Sequence, residues 1–245
     1  MRISGKEADF KNFKNLDLMG VQYPGSKHYI REFTEIDVGW KIKPWFKIDL
    51  DNMRNWYADL EKNYGDWKFI QGKHKYMWST DPSDPEAKTG HKFMEDTAWY
   101  NLCWNPVDAK GPLPPERSNT KLKYREEHDS DDLNPRECFN GYALGVCKEI
   151  EKQARIKKVL VSILTPGTIL VKHQDAPDKF RFHICLYTND DAYWIIDGER
   201  MKIPADGWVY LVNTSLPHEL YNNGNTPIIK LYGKIFAEDV VRLTL

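Results

Sequence analysis

Residues 169–175 read ILVKHQD, and a second histidine, His218, follows in NTSLPHELYNN. Side chains alternate along an extended strand. Ile169, Val171, His173 and Asp175 are therefore expected on one face, where an imidazole and a carboxylate two residues apart can reach the same ion. His218 lies between a strand and a turn, a place from which a barrel can return it to the same mouth. Two histidines and one carboxylate on one face of an octahedron leave the remaining positions open, which is the ligand set of non-haem iron(II) oxygenases. Open positions are what a chelating co-substrate and dioxygen require, and a closed site of four cysteines could not offer them. Taken alone, a His-x-Asp pair is also a common surface-strand feature, and a lone histidine a common hydrogen-bonded loop residue.

In KFRFHICL, Arg181, His183 and Cys185 alternate with Phe182, Ile184 and Leu186, so one face of this strand is polar and the other apolar. If the polar face lines a barrel, a buried guanidinium needs an anion, because an unpaired buried charge is costly. If that face lies outside, Arg181 and His183 are solvated and need nothing. Cys185 reads as a buried small residue with no catalytic role. The chain carries no convincing Ser-His-Asp arrangement and no paired carboxylates.

These residues are positioned by a change of texture at Lys158. From there VLVSILTPG, TILVKHQDA, FRFHICLYT, AYWIIDGERMKI, GWVYLVNT and PIIKLYGKIF are short β-branched and aromatic runs separated by turn formers. Many short strands with tight turns predict a sandwich or barrel of the jelly-roll kind. Upstream, Asp51 is expected to cap a helix running to Tyr64 with Met53, Trp56, Tyr57 and Leu60 on its apolar face. A second helix is expected over 138–156, with Leu144, Cys147, Ile150 and Ala154 at helical spacing. Such helices could cover the outer face of one sheet. Residues 79–136 are polar and rich in Pro and Asp, apart from a strand near TAWYNLCW, and read as long loops, and the loops around residues 74–136 could cover the barrel mouth. Trp99, Tyr100 and Trp104 are candidate pocket aromatics, and Arg125 and Arg136 candidate substrate-carboxylate binders. The organisation expected is an N-terminal α/β elaboration over 1–157 packed on a core at 158–245, within a single structural domain.

Composition narrows the function classes. Lys and Arg total 35 against 36 Asp and Glu, a net charge of -1, so neither nucleic acid nor an anionic membrane is recruited by charge. Aromatics make up 13% of the chain, too many for a disordered one. The four cysteines are scattered without Cys-x-x-Cys, which argues against a disulfide framework or a structural zinc. The charged N-terminus and the lack of a long apolar run point to a cytoplasmic protein without a membrane span.

The motif order from 158 to about 236 resembles the aspartyl/asparaginyl β-hydroxylase-like family of Fe(II)/2-oxoglutarate-dependent oxygenases, which includes bacterial free-proline hydroxylases. VSILTPGTILVKHQD is similar to the family's Ser strand, Pro-Gly-Thr turn and first metal histidine. KFRFHICL resembles its Arg-x-His-x-x-Leu strand, and GWVYLVNTSLPHELYNNG its Gly strand leading to the distal His-Glu. The resemblance implies a double-stranded β-helix core, mainly β with flanking helices. It implies iron(II) held by His173, Asp175 and His218, and 2-oxoglutarate held by Ser162, Arg181, His183 and Lys230. Lys230 departs from the pattern, since the family places an Arg two residues earlier, where this chain has Ile228; the longer NNGNTP turn can absorb the shift. Lysine can pair with a carboxylate but lacks the bidentate fork of arginine. The activity implied is hydroxylation of a C–H bond of an amino acid or peptidyl residue, with succinate and CO2 as co-products, by a monomer or homodimer using dioxygen. The alternatives are a metal-binding cupin that is not an oxygenase and a non-catalytic structural or interaction protein.

Overall fold

A computed structural model describes residues 2–4, 35–64, 69–71, 76–77, 92–93, 97–101, 138–175 and 179–244. In chain order, the N-terminal part holds β1 (Arg2–Ser4), β2 (Glu35–Asp37), β3 (Ile42–Lys47), α1 (Leu50–Tyr64), β4 (Phe69–Gln71), β5 (Tyr76–Met77), β6 (Lys92–Phe93) and β7 (Thr97–Asn101). Helix α2 (Gly141–Glu151) leads into β8 (Ile156–Leu164), β9 (Ile169–His173), β10 (Lys179–Tyr187), β11 (Ala192–Ile196) and β12 (Glu199–Met201). The chain closes with β13 (Trp208–Val212), β14 (His218–Asn222), β15 (Ile228–Phe236) and α3 (Ala237–Thr244).

Two sheets carry the architecture. The larger has the order β3-β13-β10-β15-β8-β7-β4 and the smaller the order β12-β11-β14-β9. From β8 onward the chain passes back and forth between them, which is the winding of a double-stranded β-helix. Strands β3, β7 and β4 extend the larger sheet at its two ends, so the N-terminal half contributes directly to it. Two turns expected from the sequence follow backbone chemistry. Thr168 N–H bonds the Thr165 carbonyl at 3.2 Å across Pro166-Gly167, with Gly167 at φ +80. The β11–β12 hairpin turns on Asp197 and Gly198, both at positive φ, the Asp-Gly signature of a tight hairpin.

Strand β10 separates two cores. Phe180, Phe182, Ile184 and Leu186 are fully buried on one side, packed in a cluster with Met53, Trp56, Tyr57 and Leu60 of α1 and Ala143, Val146, Cys147 and Ile150 of α2. A large side chain so buried contributes about 1.5–3 kcal/mol, so this outer face of the larger sheet is what fixes the helices. On the other side Cys185 joins Leu164, Tyr210, Val212 and Ile228, facing Ala192, Trp194, Ile196 and Leu220 of the smaller sheet.

The helices correct the sequence reading in detail. The four apolar residues of α1 are buried as their spacing predicted, but its cap is Asp49, not Asp51. The Asn52 N–H donates to Asp49 Oδ1 at 3.0 Å, and Asp51 sits inside the first turn. A capping side chain must come from the non-helical residue before the helix and reach its third amide, which only Asp49 does. Helix α2 spans 141–151 instead of 138–156. Its C-terminal end is lost because Ile156 already pairs with Ile235 as the first residue of β8. Leu144 is half-buried, and Ala154 is buried beyond the helix end.

Gly233 sits opposite Phe182 in the β10–β15 ladder. A Cβ there would lie 2.6 Å from Phe182 Cε1, 2.8 Å from Cζ and 3.1 Å from Val159 Cγ2. Gly233→Ala is expected to lower the unfolding free energy by about 1–3 kcal/mol through overpacking. Urea denaturation checks this, and a midpoint equal to wild type would show that Phe182 moves aside freely.

Candidate active site

The smaller sheet brings the two histidines together. His218 of β14 and His173 of β9 are direct cross-strand partners. The register slips between His218 and Leu220: Leu220 pairs with Leu170 and Tyr221 with Ile169. Three steps along β9 thus match two along β14, a bulge that resets the alternation. Ile169 therefore does not share a face with the His173 position as strict alternation predicted; it is 39% exposed. Asp175 follows the end of β9, held by its N–H on the Thr214 carbonyl at 2.9 Å. The side chain of His173 lies outside the described residues. Among the described residues no three His, Cys, Asp or Glu side chains gather as a metal cluster, and Asp175 and His218 are the two candidate ligands whose side chains are described.

Both of those are prepared as ligands. His218 is buried, and its Nδ1 lies 2.9 Å from the Leu216 carbonyl. A carbonyl only accepts, so Nδ1 carries the proton and the lone pair of the neutral ring falls on Nε2, the arrangement a metal-binding histidine needs. Asp175 is gripped by Arg181 in a fork, Nε to Oδ2 at 2.5 Å and Nη2 to Oδ1 at 3.0 Å. Burial alone would raise the Asp175 pKa, but the Arg181 charge and its hydrogen bonds outweigh it, and His218 and Lys234 add to them; the carboxyl stays well below its ordinary range. Each carboxylate oxygen keeps a second lone-pair direction for a cation. The buried Arg181 thus finds its anion within the chain. Sequence reasoning left that role to a dicarboxylate, because it could not see Asp175 turn back onto β10. The guanidinium also stacks on Tyr232, 5.2 Å from its ring centroid.

Across the larger sheet the remaining candidates form a row. Lys230 of β15 pairs with Ser162 of β8 on one side and Cys185 of β10 on the other. His183, two pairs further along β10, stacks on Tyr232 at 5.3 Å. Ser162 Oγ and both ring nitrogens of His183 are buried without a hydrogen-bond partner among the described residues, a costly condition unless a ligand satisfies them. Burial, then Lys230, Arg181 and His218, hold His183 far below its usual pKa, so the ring is neutral. Lys230 is 6% exposed. Its ammonium lies over the Trp194 ring at 4.4 Å and the Tyr232 ring at 5.6 Å, with no carboxylate partner among the described residues. Burial first, and Arg181 next, push its pKa down to about 7. Lys230, His183 and Cys185 line an open pocket with Trp194, Leu220 and Ile228 among its walls. Ile228 and Lys230, two residues apart on β15, both line it.

Sequence reasoning passed over Trp194 and Tyr232. Their signal was weak, since aromatics on β-strands are ordinarily core. Trp104, Arg125, Arg136 and most of the 79–136 loops lie outside the described residues, as do the side chains of Trp99 and Tyr100.

The fold and the pocket define a double-stranded β-helix with a polar, cation-bearing interior between its sheets. Residues 127–235 match the family Aspartyl/Asparaginyl beta-hydroxylase, the same hydroxylase family that the motifs resemble. No curated protein matches the chain in sequence. Among solved structures, an oxidoreductase of the 2OG-Fe(II) oxygenase family from Burkholderia pseudomallei is 12% identical, with 98% of this chain and 96% of that one covered and a TM-score of 0.44. A predicted oxalate decarboxylase from Thermotoga maritima is 21% identical over 36% of this chain and 72% of that one, with a TM-score of 0.28. The Schizosaccharomyces pombe Cnp3 cupin domain is 13% identical over 32% of this chain and 54% of that one, also at 0.28. No helix among the described residues is long and apolar enough to cross a membrane.

Asp175→Asn leaves the Arg181 guanidinium without its charge partner. The expected loss of unfolding free energy is about 3 kcal/mol, in the range for breaking a buried pair. The double variant Asp175→Asn/Arg181→Met should recover most of it. Urea unfolding of the three proteins decides, and equal stability of Asp175→Asn and wild type would mean that another group neutralises Arg181.

Proposed function

We propose that this chain is an Fe(II)- and 2-oxoglutarate-dependent dioxygenase that hydroxylates a C–H bond of an amino acid, free or within a peptide. The observation that carries the reading is a pocket lined by Lys230 and His183, where, among the described residues, the Lys230 ammonium has no carboxylate partner and His183 and the neighbouring Ser162 have no hydrogen-bond partner, with His218 and Asp175 close by. A dicarboxylate supplies what that pocket lacks, and the match to a hydroxylase family supports the same conclusion.

In this reading His173, Asp175 and His218 hold iron(II), which with 2-oxoglutarate and dioxygen supplies the oxidising power for hydroxylation and yields succinate and CO2. The chain's own residues bind, orient and exclude water. Arg181 keeps Asp175 ionised and fixed in direction. The Leu216 carbonyl sets the tautomer of His218. Lys230 meets the distal carboxylate of the co-substrate as a point charge, and Ser162 and the neutral His183 donate hydrogen bonds to its oxygens. Trp194, Leu220 and Ile228 wall the pocket with apolar surface, which strengthens each of these polar contacts by excluding water. No protein side chain is required as a general base.

A screen of 2-oxoglutarate turnover across free amino acids and short peptides, read as succinate, tests this directly. One class of substrate should stimulate succinate release. His173→Ala and His218→Ala should each lose that release by more than about a hundredfold, beyond the roughly 10–100-fold cost of losing an outer-shell partner of a metal ligand, with circular dichroism unchanged. In wild type, Mn(II) plus 2-oxoglutarate should raise the melting temperature, because a ligand of the native state stabilises it. No thermal shift together with no succinate from any substrate would leave the chain as a cupin of another kind.

The lowered pKa of Lys230 gives a pH prediction. The ammonium is populated below about 7 and is lost as pH rises through that value. Only the charged form attracts the carboxylate, so kcat/KM for 2-oxoglutarate should fall above pH 7, the profile reporting the free protein. Lys230→Arg, which does not titrate in this range, should move the fall to higher pH. A fall at the same pH in both proteins would assign it to another group.

A further inference from the structure

Trp194 stands on β11, in the smaller sheet, and its indole spans the space toward the larger one. Three contacts converge on it. Lys230 Nζ lies 4.4 Å from its ring centroid. His183 meets it edge-on, with centroids 5.2 Å apart and planes at 73°. His218 lies 6.2 Å away, tilted by 37°. Trp194 is itself buried, at 5% exposure. One side chain therefore touches the cation, the neutral imidazole and a candidate metal ligand, which come from three strands in two sheets.

A lysine on a flexible four-carbon stem does not hold its own position. In a protein interior a carboxylate would ordinarily fix it, but that carboxylate would also occupy the charge an incoming anion needs. An aromatic face attracts an ammonium without neutralising it. Lys230 is held in this second way. The Tyr232 ring offers it another face, but farther away, at 5.6 Å.

We propose that Trp194 is a positioning residue for the co-substrate: its ring holds the Lys230 ammonium beside His183, so that the arriving carboxylate meets a fixed, still unpaired cation. The proposal rests on the reading of this pocket as the 2-oxoglutarate site. Selection for a dianionic oxoacid then depends on a residue that need not touch the metal's substrate at all.

A double-mutant cycle tests it by isothermal titration of 2-oxoglutarate into Mn(II)-loaded protein. The proteins are wild type, Trp194→Phe, Trp194→Met, Lys230→Met and the double variant Trp194→Met/Lys230→Met. Methionine fills the space without offering a ring face. Trp194→Met should weaken binding by about tenfold, and Trp194→Phe by only about two- to threefold, following the strength of a desolvated cation–π contact. In the Lys230→Met background, Trp194→Met should change affinity by less than about twofold, since the shared interaction is already gone. In turnover, the loss in Trp194→Met should fall on KM for 2-oxoglutarate more than on kcat. Additive losses, or Phe as damaging as Met, overturn the role of Trp194 while leaving the 2-oxoglutarate site standing. Wild type that takes up Mn(II) but not 2-oxoglutarate, or Lys230→Met that binds at full strength, removes the site and this proposal with it. Should Trp194→Met fail to fold, the cycle runs with Trp194→Phe, whose smaller loss must likewise vanish in the Lys230→Met background.

Discussion

Strand β10 is the constraint on which the rest of the molecule depends. Its even-numbered residues are packed into the helix-covered core, and Arg181, His183 and Cys185 are thereby committed to the space between the sheets. A strand in the middle of a sheet cannot rotate one face without the other. The apolar burial of Phe180, Phe182, Ile184 and Leu186 thus supplies the free energy that keeps a guanidinium and an imidazole inside, where by themselves they would not go.

The interior that results holds charge in two contrasting ways. Arg181 is neutralised by Asp175 through a fork of hydrogen bonds. Lys230 is instead stabilised by ring faces, and its pKa records the cost of burial. The first arrangement fixes a carboxylate for a cation, and the second keeps a cation for a carboxylate. The two lie on adjacent strands, β10 and β15, and each uses Tyr232 as a shared wall. The pocket is therefore polarised before any ligand enters, and its orphaned hydroxyl and imidazole atoms complete that preparation.

Topology does the remaining work. Because the chain alternates between sheets, β14 returns beside β9 and sets His218 opposite His173. Trp194 on β11 reaches across from the smaller sheet to the lysine on the larger. The N-terminal strands β3, β7 and β4 widen the larger sheet without interrupting this winding. The outer clusters around α1 and α2 hold it from behind.

Much of this was legible in residue order. Alternation in KFRFHICL divided β10 into its two faces, Pro166-Gly167 and Asp197-Gly198 marked turns whose backbone demands those residues, and the 3.6-residue spacing in α1 named its buried face, because each is a local consequence of side-chain period or φ preference. The family resemblance rested on the same local motifs. Three features depended on the tertiary arrangement, not on local pattern. The bulge between β9 and β14 undid the alternation that placed Ile169 with His173, since register is set by the partner strand. The counter-ion of Arg181 proved to be Asp175, because the residue just beyond the end of β9 lies against the Arg181 side chain of β10. The holding of Lys230 by Trp194 arises only when two sheets face each other, and no spacing along one strand encodes a distance across a barrel.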